Sequence, residues 1–349
     1  MTRGPYGSYA TALLRKLILV PGATLPLRPL MRSRAVVFML HRFRDPERGV
    51  EGQDLQELRE GLAFLRRKRF QFIALDDLFK RLAEGAPVRR TIAFTIDDGY
   101  YDQATIGAKV FAEYDCPVTT FVTSGFLDGQ LWFWWDKIEY VFEVTRRDKV
   151  QVKLGDQELD YSLDGQPSRG RALSDFVARC KAVPEQEKLA AISRLATQAG
   201  VEMPACPPPR YAPMTWEEAR RCEAGGMSFG PHTVTHPILS KTTDQESRKE
   251  IADSWARLQS QVQRPVPVFC YPNGGPADFG DREVATLRQL GLKGAVVGLP
   301  PGYAGKETYR RSPDGAFRIP RFGFPENRVD LIQIVYGIER FKQILRREA

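Results

Sequence analysis

The stretch TIAFTIDDG at residues 91–99 decides the fold of this 349-residue chain. Its first six residues form a short, mostly apolar run rich in branched and aromatic side chains, which is typical of a strand buried on both faces. A helical pattern follows at 102–114, and a second such run, VTTFV, occupies 118–122. This order of strand, helix and strand predicts an α/β fold in which helices cover a parallel sheet.

The same alternation continues on both sides of this unit. Before it, AVVFML at 35–40 predicts a buried strand, and helical periodicity spans 54–68. The other predicted elements are strands at 71–74, 227–230, 267–271 and 294–297, and helices at 75–83, 215–224, 247–263, 281–290 and 329–347. A barrel and a doubly wound sheet both fit this pattern, and in either one the functional side chains gather at the carboxyl ends of the strands.

Residues 127–213 interrupt the alternation. The segment begins with the aromatic stretch QLWFWWDKIEY at 130–140, and the pattern at 150–163 predicts a hairpin. Residues 172–200 are predicted to be helical, and a proline-rich connector follows at 206–209. We interpret 127–213 as an α+β subdomain inserted into the main domain.

The composition excludes several classes of protein. Hydrophobic residues make up 42% of the chain, which is globular rather than disordered. The five cysteines form no CxxC pair, which favours free thiols in a reducing compartment. A net charge of +8 is compatible with anionic membranes, glycans or nucleic acid, but no recognised nucleic-acid motif accompanies it, so we predict no nucleic-acid partner.

The N-terminal segment is basic and partly apolar. Residues 1–40 contain no acidic residue and carry the basic residues Arg3, Arg15, Lys16, Arg28, Arg32 and Arg34. No apolar run reaches the ~20 residues needed to span a bilayer, and the signal-peptide pattern is weak. We therefore predict a cytoplasmic protein whose N-terminus either lies on the inner face of an anionic membrane or packs on the domain.

Two motifs carry candidate chemistry at strand ends. Asp97 and Asp98 follow one buried strand, and His232 and His236 follow another. Two histidines four residues apart face the same way if their segment is helical. With one carboxylate they form a His₂Asp set that leaves metal coordination positions open for water and substrate. A solvated turn and structural histidines are the alternative, but the chain has only three histidines and the combination favours a metal site.

These motifs resemble those of a known family. TIDDG at 95–99 is similar to the TFDDG motif of polysaccharide deacetylases, the NodB-homology family of carbohydrate esterases, and HTVTH at 232–236 is similar to its H-[ST]-x-x-H motif. FCYPNG at 269–274 resembles the third motif, and FMLHR at 38–42 resembles the YHR-type start of one subgroup. The resemblance covers about 35–325 outside the insertion, and it implies an irregular (β/α) barrel.

The resemblance also divides the chain and implies an activity. The predicted parts are a basic N-terminal segment (1–34), a deacetylase-like domain (35–126 and 214–325), the insertion (127–213) and a C-terminal helix (326–349). The implied reaction is hydrolysis of an N-acetyl group on an amino sugar in a polysaccharide or glycan precursor. By the family pattern, Asp98, His232 and His236 hold a divalent metal, commonly Zn²⁺, and Asp97 is the general base.

The chain departs from the common family pattern in two places. No histidine follows His236, and the YHR-type subgroup places its general acid at the position of His41. The arginine that usually orients the base aligns with Cys270, so we predict that Arg321 replaces it. The usual tyrosine aligns with Asn273, whose backbone N–H is the expected oxyanion donor.

Other interpretations remain open from the sequence. An amino-sugar deformylase of the same superfamily fits the same motifs, and a non-catalytic glycan-binding protein fits the missing arginine. The tryptophans at 132, 134 and 135 fit either a platform that stacks on sugar rings or the core of the insertion.

Overall fold

The structure, a computed structural model, describes residue 29 and residues 31–340. Its strands are β1 (Arg34–Leu40), β2 (Gln71–Phe72), β3 (Thr91–Asp98), β4 (Val118–Val122), β5 (Lys149–Leu154), β6 (Gln157–Ser162), β7 (Ser228–Pro231), β8 (Val268–Cys270), β9 (Gly294–Val297), β10 (Ala304–Gly305), β11 (Ile319–Pro320) and β12 (Phe322–Gly323). Its helices are α1 (Leu55–Arg67), α2 (Leu75–Glu84), α3 (Ala108–Ala112, preceded by the π-helical turn Gln103–Gly107), α4 (Ser124–Leu127), α5 (Trp134–Val144), α6 (Gly165–Cys180), α7 (Glu185–Ala199), α8 (Trp216–Ala224), α9 (Asp244–Gln261), α10 (Asp281–Gln289), α11 (Lys306–Tyr309) and α12 (Arg328–Val335).

The strands follow one another around an irregular barrel. β1, β3, β4 and β7 pair in parallel, and β8, β9 and β11 form a second parallel group. A bridge between Phe229 and Pro265 links the two groups on one side. On the other side, β12 follows β11 directly and pairs in parallel with β1. The predicted α/β barrel architecture is therefore confirmed, and all of these parallel strands direct their carboxyl ends to the same edge.

The helices form where the sequence patterns place them. Asp54 caps α1 by accepting hydrogen bonds from the backbone N–H groups of Gln56 and Glu57, and the apolar face of the helix is buried. The predicted capping box of Thr215 and Glu218 opens α8. All eight residues of β3 are buried, as expected for a strand covered on both faces.

The insertion has a hydrophobic cluster of its own. Helices α5, α6 and α7 pack with the antiparallel hairpin of β5 and β6, and their buried side chains form a cluster separate from that of the barrel. Trp134 lies in this cluster and Trp132 is buried against Tyr140 and Tyr211, with exposed fractions of 5% and 7%. Both residues are therefore core residues, whereas Trp135 is only half-buried.

Two predicted helices differ from those in the structure. Residues 172–200 form two helices rather than one, because Pro184 caps α7 and its ring nitrogen has no N–H with which to continue α6. The predicted terminal helix at 329–347 is interrupted: α12 ends at Val335, Gly337 adopts a left-handed φ of 83°, and residues 338–340 are helical again. Residues 341–349 and most of the basic segment 1–34 lie outside the described residues.

Candidate active site and metal centre

The site residues lie at the carboxyl edge of the barrel strands. His41 follows β1, Asp97 and Asp98 end β3, the two histidines follow β7, and Arg321 lies between β11 and β12. A cavity of about 460 Å³ opens at this edge. Its lining includes every predicted site residue: His41, Asp97, Asp98, His232, His236, Asn273 and Arg321.

Asp98, His232 and His236 form a buried group that can hold a metal ion. The Nε2 atoms of both histidines lie 3.6 Å from Asp98 Oδ1, which is too long for a hydrogen bond. Ligand atoms about 2.1 Å from a tetrahedral metal are separated by roughly 3.4 Å. This spacing suits three ligands of one shared ion better than hydrogen bonds between the side chains. The three residues therefore fit a divalent metal.

The His232 ring has the orientation that metal binding needs, and the His236 ring has the neutral charge. Nδ1 of His232 lies 2.7 Å from the carbonyl oxygen of Cys270, so an N–H at Nδ1 leaves the lone pair of Nε2 free for a metal. Burial and the neighbouring His232 lower the pKa of His236 to about 3, which keeps its ring neutral. A neutral imidazole is the form that binds a metal.

The segment that carries the histidines is a loop and not a helix. Thr233 and His236 adopt left-handed φ values of 66° and 59°. One physical reason lies in Pro237, because a residue that precedes proline is disfavoured in the helical region. The Thr233 hydroxyl accepts a hydrogen bond from the His236 N–H at 3.0 Å, which folds the loop back so that both rings face Asp98.

Glu250 of α9 supports this loop through hydrogen bonds, a role that no sequence motif marks. Its carboxylate accepts hydrogen bonds from the backbone N–H groups of Val234 and Thr235, both at 2.8 Å, and from the Thr235 hydroxyl at 2.7 Å. Three hydrogen bonds thus converge on one carboxylate. Glu250 therefore fixes the backbone between the two histidines.

Asp97 is paired with Arg321 in a two-pronged contact. The guanidinium donates from Nη1 to Oδ1 and from Nη2 to Oδ2 of Asp97, both at 2.7 Å, and both side chains are buried. Burial by itself raises the pKa of Asp97, but the Arg321 charge outweighs burial and holds that pKa well below its usual range. Asp97 is consequently an ionised carboxylate with a fixed orientation.

Cys270, which the sequence resemblance aligns with the family's usual arginine, lies beside this pair. Its Sγ is 3.1 Å from Arg321 Nη2 and 3.5 Å from Asp97 Oδ2. Asp97, His232 and Cys270 also form a group with metal-ligand spacing. Burial raises the pKa of the Cys270 thiol, and Arg321 already occupies both oxygens of Asp97, so the Asp98 group is the better metal site.

His41 lies at the mouth of the cavity. Its Nε2 is 3.9 Å from Asp97 Oδ2, and 48% of its side chain is exposed. Gln103 joins the strand ends beneath it, because its Nε2 donates to the carbonyl oxygens of His41 at 2.6 Å and Asp97 at 2.5 Å. Gln103 is another residue that the sequence did not reveal, since it acts across 62 positions of the chain.

Asn273 follows β8 and lines the cavity with a left-handed φ of 57°. Among the described residues, no group accepts a hydrogen bond from its buried side-chain nitrogen. The side-chain nitrogen of Asn273 is thus available to donate a hydrogen bond to a ligand in the cavity.

The insertion supplies part of the cavity wall. Trp135 packs edge-on against the His236 ring, with ring centroids 4.7 Å apart, and Asp136 accepts a hydrogen bond from the Tyr100 hydroxyl at 2.8 Å. Asp136 and Tyr100 were not among the predicted site residues. The DDG motif adjoins Tyr100 and the aromatic stretch contains Asp136, but only the folded chain brings the two together.

Comparison with known proteins points to one family. The family model described as polysaccharide deacetylase matches residues 184–295, a segment that contains both histidines of the metal group. A search of curated proteins finds no match to this chain.

Solved structures of low sequence identity share the fold. The Streptococcus pyogenes deacetylase PplD in complex with acetate has 15% identity and a TM-score of 0.56, covering 87% of this chain and 99% of that chain. IcaB from Ammonifex degensii has 14% identity and a TM-score of 0.53, covering 87% and 97%. A de-N-acetylase from Aggregatibacter actinomycetemcomitans has 12% identity and a TM-score of 0.51, covering 86% and 99%.

The barrel, the strand-end motifs and the family match together define a hydrolase of the de-N-acetylase class. Residues 184–295 match the polysaccharide deacetylase family, whose members are metal-dependent enzymes that hydrolyse N-acetyl groups of glycans.

Proposed function

We propose that this protein deacetylates an amino sugar with Asp98, His232 and His236 as the ligands of a divalent metal and Asp97 as the general base. The observation that carries the proposal is the buried donor group at 3.6 Å spacing beside the Asp97–Arg321 pair. Zn²⁺ is the metal we propose, because a set of imidazole and carboxylate ligands with open positions suits it.

A metal held at this group supplies Lewis acidity, which polarises the amide carbonyl and makes a water molecule more acidic. Asp97 is ionised and accepts the proton of the attacking water, whose oxygen forms a bond to the carbonyl carbon. Arg321 keeps the Asp97 carboxylate oriented and charged while it does so. The backbone N–H of Asn273 donates to the oxygen on which negative charge develops.

The second half of the reaction breaks the carbon–nitrogen bond. The departing nitrogen needs a proton, and His41 is the titratable side chain next to Asp97 that is open to the cavity and to solvent. We assign the proton donation to His41, so that acetate and a free amine are released.

Release of acetate tests the proposed function. Purified protein loaded with Zn²⁺ is incubated with matched N-acetyl and N-formyl derivatives of the same amino sugar, and acetate and formate are measured. Acetate release that is lost in Asp97→Asn supports the deacetylase. Formate release alone favours the deformylase, and binding of the acetylated sugar without turnover favours a glycan-binding protein.

We also propose that the protein works at the inner face of an anionic membrane. No helix within the described residues is long and apolar enough to cross a bilayer. A groove at the amino edge of the sheet, opposite the metal centre, is lined by Arg69, Arg81, Arg89 and Arg90 and by no acidic residue. β1 begins at Arg34 at this same edge, and the basic residues of the segment 1–34 precede it in the sequence.

A further inference from the structure

The insertion meets the metal centre through a fixed set of contacts. The Tyr100 hydroxyl donates to Asp136 Oδ2 at 2.8 Å and accepts a hydrogen bond from Trp135 Nε1 at 3.1 Å. Arg42 lies 3.8 Å above the Tyr100 ring and donates to the carbonyl oxygen of Arg210 at 2.6 Å. Barrel and insertion residues therefore contact one another at the cavity, and together they form one of its walls.

Trp135 provides an apolar face next to the metal ligands. Its ring stacks on Phe133, with centroids 4.4 Å apart and an interplanar angle of 12°, and it packs edge-on against His236. The two contacts fix the plane of the indole. A fixed aromatic surface with a few polar groups beside it is typical of a small-molecule site.

Asp136 provides the polar group beside that face. It lines the cavity with 3% of its surface exposed, and its Oδ1 has no hydrogen-bond partner among the described residues. Burial raises the pKa of Asp136 well above its usual range, against the opposing effects of Tyr100 and Arg42. Burial therefore favours the protonated carboxyl group, which can donate as well as accept a hydrogen bond.

A hexosamine ring has the chemistry that this wall recognises. Its C–H faces are apolar and its hydroxyl groups both donate and accept hydrogen bonds. The cavity, at about 460 Å³, lies in the lower part of the range of roughly 300–1,000 Å³ found for small-ligand sites, and so suits a short saccharide unit around the metal.

We propose that the insertion forms the sugar-ring subsite of the active site, where Trp135 stacks on an N-acetylhexosamine and the Asp136–Tyr100 pair binds its hydroxyl groups. The inference rests on the proposed function, since the acetamido group of that ring must reach the metal centre. It adds a substrate-specificity role for residues outside the deacetylase motifs.

The test compares two substrates of the Zn²⁺-loaded enzyme. An N-acetylated chitooligosaccharide has ring hydroxyl groups, whereas 4-nitrophenyl acetate offers only an acetyl group to the metal centre. Asp136→Ala should lower the ratio of glycan to ester kcat/KM by about 10–100-fold, chiefly through KM, because about one or two hydrogen bonds are lost. Bound zinc, measured separately, should stay at the wild-type level.

Asp175→Ala is the matched control. Like Asp136, Asp175 belongs to the insertion and accepts a hydrogen bond from a tyrosine hydroxyl, that of Tyr161, but it does not line the cavity. Its substrate ratio should equal that of the wild type. If Asp136→Ala fails to fold, Tyr100→Phe removes only one hydroxyl group and should lower the same ratio.

An unchanged ratio in both Asp136→Ala and Tyr100→Phe overturns the subsite. Wild-type protein that hydrolyses the ester but no N-acetylated glucosamine, galactosamine or mannosamine oligosaccharide also overturns it, while the metal-dependent hydrolase stands. Wild-type protein that hydrolyses neither substrate overturns the proposed function itself.

Discussion

The guanidinium of Arg321 determines the charge of Asp97 in this site. A buried carboxylate without a partner takes up a proton, whereas the paired guanidinium keeps Asp97 charged in a dry environment. The sequence resemblance aligns the family's usual arginine with Cys270, whereas the guanidinium beside Asp97 comes from Arg321, between β11 and β12. An aspartate at this position can thus pair with an arginine that comes from a different strand than the family's usual one.

Replacement of Arg321 tests this pairing. Arg321→Met should lower kcat about 10²-fold or more, because Asp97 loses both the charge that keeps it ionised and its fixed orientation. Rates of acetate release at saturating substrate measure the effect, and circular dichroism checks the fold. Arg318→Met is the control, since Arg318 is in the same segment but contacts Asp281 at the surface. A wild-type rate in Arg321→Met removes it from the mechanism.

His41 is tested by a second replacement at the residue scale. His41→Ala should cut kcat about 10²–10⁴-fold, because the departing amine then lacks its proton donor. Metal content should remain at the wild-type level, since His41 lies outside the group of Asp98, His232 and His236. A substrate with an activated leaving group needs less help from an acid and should lose less activity. A near-normal rate on the unactivated amide contradicts the assignment.

The sequence predicts the residues at strand ends better than those that support them. Asp97, Asp98 and the two histidines follow apolar runs, so their placement at one edge follows from the parallel sheet. Gln103 and Glu250 act through hydrogen bonds to distant backbone groups, and no local pattern marks such contacts. The order of the chain alone therefore cannot identify them.

At the scale of the element, the loop 232–236 shows how a short segment positions two histidines as metal ligands. Its two histidines would face the same way in a helix, but two left-handed residues and Pro237 make the segment a turn. A turn of this kind has few hydrogen bonds of its own, so its shape depends on the helix packed behind it. Glu250 of α9 supplies that support.

Removal of this support should weaken metal binding. Glu250→Ala should lower zinc affinity about 10–100-fold, because the loop that orients His232 and His236 loses three hydrogen bonds. Competition with a chromophoric chelator measures the affinity. Asp253→Ala, on the same helix with an exposed side chain, should bind zinc like the wild type. Equal affinities in all three proteins contradict the role of Glu250.

At the scale of the whole molecule, the two edges of the barrel differ in chemistry. The carboxyl edge carries the metal group and the wall of the insertion, while the amino edge carries the arginine groove. The alternation of apolar strands and helices predicted an α/β fold, and the family resemblance favoured the barrel over a doubly wound sheet. The contact between insertion and barrel was not, because Tyr100 and Asp136 meet only through tertiary packing.

The amino edge predicts binding to anionic membranes. The full chain should float with vesicles that contain phosphatidylglycerol, and not with vesicles of phosphatidylcholine alone, because arginines bind anionic headgroups. Arg89→Gln and Arg90→Gln should each weaken the binding about fivefold, and deletion of residues 1–28 should weaken it further. Arg221→Gln, whose side chain is paired with Glu217 elsewhere, is the control. Equal flotation with both kinds of vesicle contradicts an electrostatic membrane site.

Metal content is the most direct test of the central claim that Asp98, His232 and His236 hold a catalytic metal. The purified protein and its His232→Ala variant are incubated with Zn²⁺, freed of excess metal and analysed by atomic emission. The account predicts about one equivalent of zinc in the wild type and a large loss in the variant, with acetate release lost in parallel. Absence of bound zinc in the wild type, or equal amounts in both proteins, would contradict it.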